Sequence, residues 1–297
     1  MKVVILGKGL MLSNIILGSL DAGAEIVGVF RYDYTVNNKF KLAITDFFST
    51  DKELQLIKKH KIKQLKFKSA NSEVFKNFLI RENVDLVIVG TWRERIKKEV
   101  YDIPKIATVN FHPSLLPKYR GPNPYLQTIL HGEKFTGVTL HLLDKNYDTG
   151  AILLQEKFPI LDSDTSKELR ERTVVFARKM VADFINNYSN LIPQAQNEEE
   201  ATYFKNISGD EKMIDFTTQT SYEIYRTVKA LHPFLPCYIT LCRKFYIINP
   251  YRMKIINKIY EDNEPNDIIE KSANNQYMAI VCKDKRVIQF NELRLYK

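Results

Sequence analysis

Residues 109–122 read VNFHPSLLPKYRGP, and the rest of the chain can be built outward from them. Residues 106–111 are mostly apolar and include β-branched side chains, which predicts a buried strand. That strand must end by Pro113, because proline cannot donate a hydrogen bond to a central strand ladder. Asn110 and His112 are two residues apart, so their side chains point the same way on an extended chain. The strand end therefore presents an amide and an imidazole side by side.

The turn after the next strand candidate adds a carboxylate. Residues 136–143 are rich in apolar side chains, and Asp148 lies in a polar turn between them and a further strand candidate at 151–160. In open α/β sheets, ligands bind beyond the carboxyl ends of the strands. An amide and an imidazole at such an edge can stabilise an oxyanion, and a carboxylate can hold or accept a proton. Asp144 is the competing carboxylate of the same turn.

Three stretches together resemble the folate-dependent formyltransferases. They are residues 110–121, the sequence GVTLH at 137–141 and the Asp-Thr-Gly triplet at 148–150. The Asn-x-His-x-Ser-Leu-Leu-Pro element with a downstream aspartate is a specific motif, far more informative than a glycine motif. The similarity runs along most of the chain and is greatest to the methionyl-tRNA formyltransferase branch, with the sugar N-formyltransferases close behind.

The resemblance implies transfer of a formyl group from 10-formyltetrahydrofolate to a primary amine, with no metal ion. It gives the catalytic roles to Asn110, His112 and Asp148, and it prefers Asp148 to Asp144 because the family aspartate precedes Thr-Gly or a similar pair. Arg120 is expected either to bind a phosphate or carboxylate or to hydrogen-bond nearby loop carbonyls. The residues expected on the cofactor side of the cleft are Trp92, Ser114, Leu115, Leu116, Pro117, Gly137, Val138 and Leu140.

Short strand and helix patterns alternate through the first two thirds of the chain, which predicts βαβ units and a Rossmann-like, mainly parallel sheet. One of the short strands is expected at residues 64–67. The predicted domains are a formyltransferase catalytic domain at 1–192, a solvated linker at 193–212 and a β-rich C-terminal domain at 213–297. The last of these resembles a small OB-like β-barrel. The Gly7-x-Gly9 pair matches a dinucleotide fingerprint only partly, so a tight turn is the preferred interpretation.

The acceptor amine is left open between two candidates. The formal net charge of +9 and the barrel resemblance favour an anionic partner, initiator methionyl-tRNA, although solvated lysines would give the same charge. Candidate phosphate contacts are Lys39 with Lys41 and Lys58 with Lys59. Against this, residues 31–41 lack the Arg-Pro-x-Gly-x-Gly-Lys pattern of the tRNA-specific branch.

A nucleotide-linked amino sugar is the second candidate acceptor. The missing pattern favours it, and so does the similarity of residues 144–155 to the sugar formyltransferases. A nucleic-acid-binding protein with an inactive formyltransferase-like domain is a third possibility, which the presence of Asn110, His112 and Asp148 disfavours.

Composition bounds where the protein works. The three cysteines of the 297-residue chain are too few and too scattered for a disulfide framework. No stretch reaches the roughly 18 apolar residues that indicate a membrane span. The first apolar run is too soon broken to be a signal peptide. These features predict a cytoplasmic protein, whose oligomeric state the sequence leaves open.

Overall fold

The computed structural model describes residues 1–33, 51–207, 213–241 and 243–296. One six-stranded sheet has the order β2-β1-β3-β4-β5-β6. Its strands are β1 (Lys2–Gly7), β2 (Glu25–Arg31), β3 (Leu86–Gly90), β4 (Ala107–His112), β5 (Phe135–Leu142) and β6 (Ile152–Pro159). Strands β2, β1, β3 and β4 are parallel to one another, whereas β5 is antiparallel to β4. The predicted α/β domain with a mainly parallel sheet is therefore confirmed.

Helices cover both faces of this sheet. The helices of the described chain are α1 (Gly9–Asp21), α2 (Lys52–Lys59), α3 (Glu73–Arg81), α4 (Lys98–Tyr101), α5 (Pro124–Leu130), α6 (Ser166–Asn187) and α7 (Ser221–Leu231). Along β1, Val3 and Ile5 join a core that includes residues of α1 and α6. Val4 and Leu6 point the other way and join a second core with α3. A strand buried on both faces needs a continuous apolar run, which is what β1 has.

The turn between β1 and α1 carries the partial glycine motif. The backbone N–H of Gly9, at φ +64°, donates to the Glu53 carboxylate at 3.1 Å. A helix N-terminus is the place where a dinucleotide phosphate would bind, and here a carboxylate of the protein itself takes that place. The structure thus agrees with a tight turn at Gly7-x-Gly9.

Two compact units interleave along the sequence. The first comprises Met1–Gly121, Gly137–Phe158 and Glu171–Tyr203. The second comprises Pro122–Thr136, Pro159–Arg170 and Phe204–Lys297. Each unit combines several separate ranges of the chain, so the units do not test the predicted boundaries of contiguous domains at residues 192 and 212. Those boundaries stay a prediction.

The C-terminal part of the second unit combines a helix with antiparallel sheets. Helix α7 begins with a capping box in which Thr220 and Glu223 bond each other's backbone N–H groups. A four-stranded sheet has the order β10-β11-β12-β9, and a three-stranded sheet has the order β13-β8-β7. Their strands are β7 (Tyr238–Leu241), β8 (Lys244–Ile247), β9 (Met253–Ile259), β10 (Ile268–Lys271), β11 (Met278–Val281), β12 (Arg286–Phe290) and β13 (Arg294–Leu295). An OB-like closure of these strands stays a prediction.

One predicted element is wrong and others lie outside the described residues. Residues 64–67 do not form a named strand, and Gln64 makes only an isolated bridge to Val29. The apolar pattern there arises because Leu65 is a core side chain that fills the space above Gly28. The candidate phosphate contacts Lys39 and Lys41 are not among the described residues. Within the described ranges, no helix is both long and apolar enough to span a bilayer.

Candidate active site

The carboxyl end of β4 carries the predicted catalytic pair. Asn110 and His112 are two residues apart on this strand, so their side chains lie on the same face. The antiparallel pairing of β4 with β5 sets Asn110 opposite His141. The turn after β5 returns Asp148 to the same place, with Oδ1 3.3 Å from His112 Nδ1. Asp148 has φ +60°, and its Oδ2 accepts the N–H of Gly121 at 2.9 Å. The structure therefore brings His112 and Asp148 into contact beside Asn110.

His112 is a buried imidazole with a partner at each nitrogen. Its Nε2 lies 2.8 Å from the carbonyl oxygen of Tyr119, which can only accept, so Nε2 carries a proton. Burial by itself lowers the pKa of His112, but the charge and hydrogen bond of Asp148 and the Tyr119 carbonyl outweigh burial, so the pKa is raised. Burial would likewise raise the pKa of Asp148, but attraction to His112 holds it well below its usual range. Because the Tyr119 carbonyl faces Nε2 and the Asp148 carboxylate faces Nδ1, both nitrogens have an acceptor, and the pair is an imidazolium beside a carboxylate.

His141 is a site residue that the sequence did not predict, although it ends the 137–141 stretch. Its Nδ1 lies 2.8 Å from the Leu142 carbonyl oxygen and its Nε2 lies 3.0 Å from Asn110 Nδ2. Burial lowers the pKa of His141, and the Asp148 carboxylate, whose Oδ1 is 3.9 Å from Nε2, raises it. The effect of burial is larger, so the pKa of His141 falls to about 4. The ring is therefore neutral at neutral pH with its proton on Nδ1, because only Nδ1 faces an obligate acceptor. Its Nε2 consequently accepts from the Asn110 amide.

This bond orients Asn110. One N–H of the Asn110 amide is used on His141, and among the described residues its other N–H and its oxygen have no partner. The side chain is only half-buried, unlike the two histidines. A fixed donor of this kind, next to an imidazolium, is suited to the negative oxygen that forms when a carbonyl is attacked.

Most of the residues predicted on the cofactor side of the cleft are buried and pack against other parts of the protein. Their buried members are Ser114, Leu116, Gly137, Val138 and Leu140. The Ser114 hydroxyl donates to the Lys118 carbonyl at 2.7 Å, and Gln155 Nε2 donates to the Leu116 carbonyl at 3.0 Å. A side chain at Gly137 would collide with the Glu156 carbonyl and with Leu115. The structure thus gives these residues packing partners, and their cofactor roles stay predictions.

Of the residues predicted on the cofactor side, three have partly exposed side chains: Trp92, Leu115 and Pro117. The Trp92 ring packs edge-on against Phe30 at 5.0 Å and against Tyr32 at 5.3 Å. Its ring is therefore part of an aromatic cluster beyond the carboxyl ends of β2 and β3. A contact between Trp92 and a pterin stays a prediction.

Arg120 pairs with a carboxylate of the protein itself. Its guanidinium forms a two-point pair with Glu198, at 2.8 Å and 2.7 Å, and its Nη2 also reaches Gln196 Oε1 at 2.8 Å. Both partners lie in the stretch predicted as a solvated linker. Residues 193–207 of that stretch are mostly exposed, yet the Gln196 and Glu198 side chains reach the site.

The formyl transferase family matches residues 1–185 of the chain. The chain belongs to this family. The methionyl-tRNA formyltransferase of Ehrlichia ruminantium (strain Gardel) is 35% identical over 207 residues, which are 69% of this chain and 64% of that protein. The chain thus matches less than two thirds of that relative's length.

Two further proteins are similar over nearly the whole chain. The methionyl-tRNA formyltransferase of Lactococcus lactis subsp. lactis is 28% identical over 283 residues, 94% of this chain and 86% of the relative. A crystal structure of an N-formyltransferase from Helicobacter canadensis, in complex with folinic acid and dTDP-3-aminofucose, covers 100% of both chains with a TM-score of 0.70 and 22% identity. At that identity, the second similarity shows the fold alone.

Proposed function

We propose that this chain transfers the formyl group of 10-formyltetrahydrofolate to the amino group of methionyl-tRNA. The observation that carries formyl transfer is the group of side chains at the end of β4, in which Asn110 bonds His141 and the Asp148 carboxylate pairs with His112. Family membership supports the same chemistry. The acceptor is supported by the Lactococcus lactis relative, which aligns with 94% of the chain and is named for methionyl-tRNA. A cytoplasmic location is part of the proposal.

The chain's own residues fit a bound formyl group. Bound 10-formyltetrahydrofolate would supply a formyl carbon for attack by the acceptor amine, with the folate nitrogen as the leaving group. Asn110 has an N–H left over to donate to the oxygen that becomes negative. Such a donor typically lowers the barrier by about 3–4 kcal/mol. The positive charge of His112 adds to this stabilisation without needing to break either of its hydrogen bonds.

Asp148 acts mainly by holding that charge in place. A carboxylate at this position could also accept a proton during the reaction. Because its pKa lies well below the usual range, Asp148 is a poor proton acceptor in the substrate-free site. We assign to Asp148 the role of orienting His112 and keeping it charged. The reaction needs no net proton, because the attacking amine loses one and the leaving folate nitrogen gains one.

A nucleotide-linked amino sugar is the second candidate acceptor. It is favoured by the Helicobacter canadensis structure, which matches the chain from end to end and whose ligand is such a sugar. The absence of the basic glycine pattern from residues 31–41 points in the same direction. Both candidates place a primary amine next to phosphates, so the catalytic groups serve either one.

The test is a formylation assay with purified protein, 10-formyltetrahydrofolate and each acceptor, with the His112→Gln variant as the control for contaminating activity. Formylated methionyl-tRNA formed by the wild type alone supports the proposal. The apparent affinity for tRNA should fall by roughly one log unit per log unit of salt for each phosphate contact, whereas a sugar nucleotide should show a shallow slope. If only an amino-sugar nucleotide is formylated, the second candidate replaces the first. Product from neither acceptor contradicts both.

A further inference from the structure

The 196–203 segment comes after helix α6 along the chain and lies in the first compact unit. Its start is set by Gln194, whose backbone exchanges two hydrogen bonds of 2.8 Å with Ile152 of β6. From there the segment passes over the two loops that flank His112. One loop, residues 117–121, supplies the Tyr119 carbonyl, and the other, residues 148–150, supplies the Asp148 carboxylate.

Gln196 joins the two loops directly. Its Nε2 donates to the carbonyl oxygens of Asp148 at 2.9 Å and Gly150 at 2.7 Å. Its Oε1 accepts from Arg120 Nη2 at 2.8 Å and Nε at 3.2 Å. One amide thus uses both N–H groups on the Asp148 loop and its oxygen on the Tyr119 loop. A carboxylate in its place could not donate to two carbonyls.

Glu198 holds the other side of Arg120. The two-point contact between the carboxylate and the guanidinium is the geometry that binds arginine most firmly. The Arg120 side chain is 8% exposed, whereas the Glu198 side chain is 69% exposed, so the contact joins the inside of the site to its surface. Arg120 Nη2 donates to both the Glu198 carboxylate and the Gln196 amide oxygen. A guanidinium held in place by Glu198 therefore also holds the Gln196 oxygen in place.

Thr202 fixes the backbone that carries the Tyr119 carbonyl. Its hydroxyl accepts the N–H of Tyr119 at 2.8 Å, and its carbonyl accepts the N–H of Arg120 at 2.8 Å. Tyr119 has φ +61°, a conformation uncommon for an aromatic residue and held only where the surroundings impose it. In this conformation its carbonyl points at His112 Nε2.

We infer that Gln196, Glu198 and Thr202 are positioning residues that set the two partners of His112, although they touch no reacting atom. This inference rests on the proposed formyl transfer for its effect on rate. Each nitrogen of His112 meets a loop, and each of those loops is bound by the same short segment. The segment is thereby a working part of the site rather than a tether between domains.

The test compares Gln196→Ala and Glu198→Gln with the matched control Glu199→Gln. In the described part of the chain, the Glu199 side chain makes no hydrogen bond or ion pair, although it is next to Glu198. The readout is the pKa of His112, followed by NMR of isotope-labelled histidine in the substrate-free protein. The His112 resonance is identified by its loss in a His112→Gln variant, since the chain has only five histidines.

The charged and titratable groups facing His112 are Asp148, Arg120 and His141. Glu198→Gln leaves the charge of Arg120 uncompensated, which by itself lowers the pKa of His112. Gln196→Ala removes no charge, so it tests positioning alone. We expect the pKa of His112 to fall in both variants and to stay unchanged in Glu199→Gln.

Turnover should fall about tenfold in Gln196→Ala, with a smaller change in KM, because small displacements of reacting groups cost much rate. If the variants lose thermal stability while the pKa of His112 and kcat keep their wild-type values, the segment is merely structural and the inference is wrong. If Gln196→Ala does not fold, Thr202→Val, which removes no charge but takes away the acceptor of the Tyr119 N–H, decides in the same way. Wild-type protein that formylates neither acceptor would sink the proposed function and leave the NMR comparison standing.

Discussion

His112 at the end of β4 and His141 on the neighbouring strand β5 are both buried, and each has a backbone carbonyl as the partner of one ring nitrogen. They differ at the other nitrogen. His112 faces the Asp148 carboxylate at 3.3 Å, whereas His141 faces the Asn110 amide at 3.0 Å and the same carboxylate only at 3.9 Å. The pKa of His112 is raised as a result, and burial lowers that of His141 to about 4.

This difference shows that the partner, and not the depth of burial, decides which ring is charged. One carboxylate can compensate one cation, and a second cation nearby would be repelled. The neutral ring is then free to accept a hydrogen bond, and it uses this to turn an N–H of Asn110 to a fixed direction. The proposed site therefore contains one cation and one oriented amide, built from two histidines of similar burial.

Removing the charged ring should have the largest effect. In His112→Gln the cation is lost while a polar side chain still fills the space, and we expect kcat to fall by about 10²- to 10⁴-fold. Turnover is measured by the formylation assay, and folding is checked by thermal unfolding. Near-normal turnover in a folded variant would contradict the proposed mechanism. Asn110→Ala and Asp148→Ala should also lose activity by orders of magnitude.

Removing the carboxylate alone should erase the difference between the two rings. In Asp148→Asn only the Tyr119 carbonyl is left to oppose the effect of burial, the largest single influence, so the pKa of His112 should fall and the ring should lose its charge. We expect kcat to drop about 10²-fold at neutral pH and to recover partly as the pH is lowered and His112 gains its proton. A pH–rate profile of the variant parallel to that of the wild type would argue against this role.

The same variant has a defined effect on stability. The raised pKa of His112 stabilises the fold below the unfolded value of 6.5, and this is lost as the pH rises through the folded pKa. The lowered pKa of Asp148 stabilises the fold above 3.8, and this is lost as the pH falls through its folded pKa. Denaturant unfolding should therefore show the largest gap between wild type and Asp148→Asn from about pH 4 to 6.5.

Altering the neutral ring should have a smaller effect. His141→Asn can still donate to the Leu142 carbonyl but loses the acceptor for Asn110, so we expect kcat to fall about tenfold, the equivalent of one hydrogen bond. His141→Gln can offer an oxygen near the position of Nε2 and should be less impaired. Equal loss in both variants would indicate that the ring only fills space.

His141 also makes the wild type sensitive to acid. Its pKa is lowered from 6.5 to about 4 in the folded state, so below pH 6.5 the unfolded chain binds a proton that the folded chain does not. Stability should therefore fall by on the order of 3 kcal/mol as the pH drops across this interval. The His141→Asn variant has no such group, so its stability does not fall for this reason. If the variant is less stable than the wild type at pH 7, the difference should therefore become smaller towards pH 4. A constant deficit in denaturant unfolding would contradict the neutral state of His141.

The sequence predicted the parts of the site that depend on local pattern. Alternation along a strand is enough to set Asn110 and His112 on one side, and the motif with a downstream aspartate points to Asp148. The contact between Asn110 and His141 depends instead on the register of two antiparallel strands, which no local pattern specifies. The contacts of Gln196 with Asp148 and Gly150 span more than forty residues and leave no periodic trace.

The fold was predictable to a similar extent. Apolar runs marked the strands of the large sheet, because a strand buried on both faces is apolar throughout. The helix at Ser221–Leu231 was missed, although Thr220 and Glu223 form the capping-box pattern that marks a helix start. Residues 64–67 have the apolar content of a strand, but a short run of this kind does not distinguish a strand from a loop that fills the core.

The smallest expected effect is also the sharpest test of how the two rings differ. The partners of His141 lie on β4 and at the end of β5, inside the sheet. Those of His112 lie on two loops, and Thr202 helps to fix the one that carries the Tyr119 carbonyl. In Thr202→Val the hydroxyl that accepts the Tyr119 N–H is lost at almost constant volume. The Tyr119 carbonyl should then be held less firmly, so the pKa of His112 should fall while that of His141 stays the same.

Both rings can be followed in one NMR titration, so His141 serves as the internal control for Thr202→Val. We expect kcat to fall about threefold, in line with the loss of one neutral hydrogen bond remote from the substrate. Equal changes at both histidines would mean that the substitution loosens the whole sheet. No change at either would mean that residues 117–121 keep the Tyr119 carbonyl in place unaided. Only a change confined to His112 separates a charged ring supported by loops from a neutral ring supported by strands.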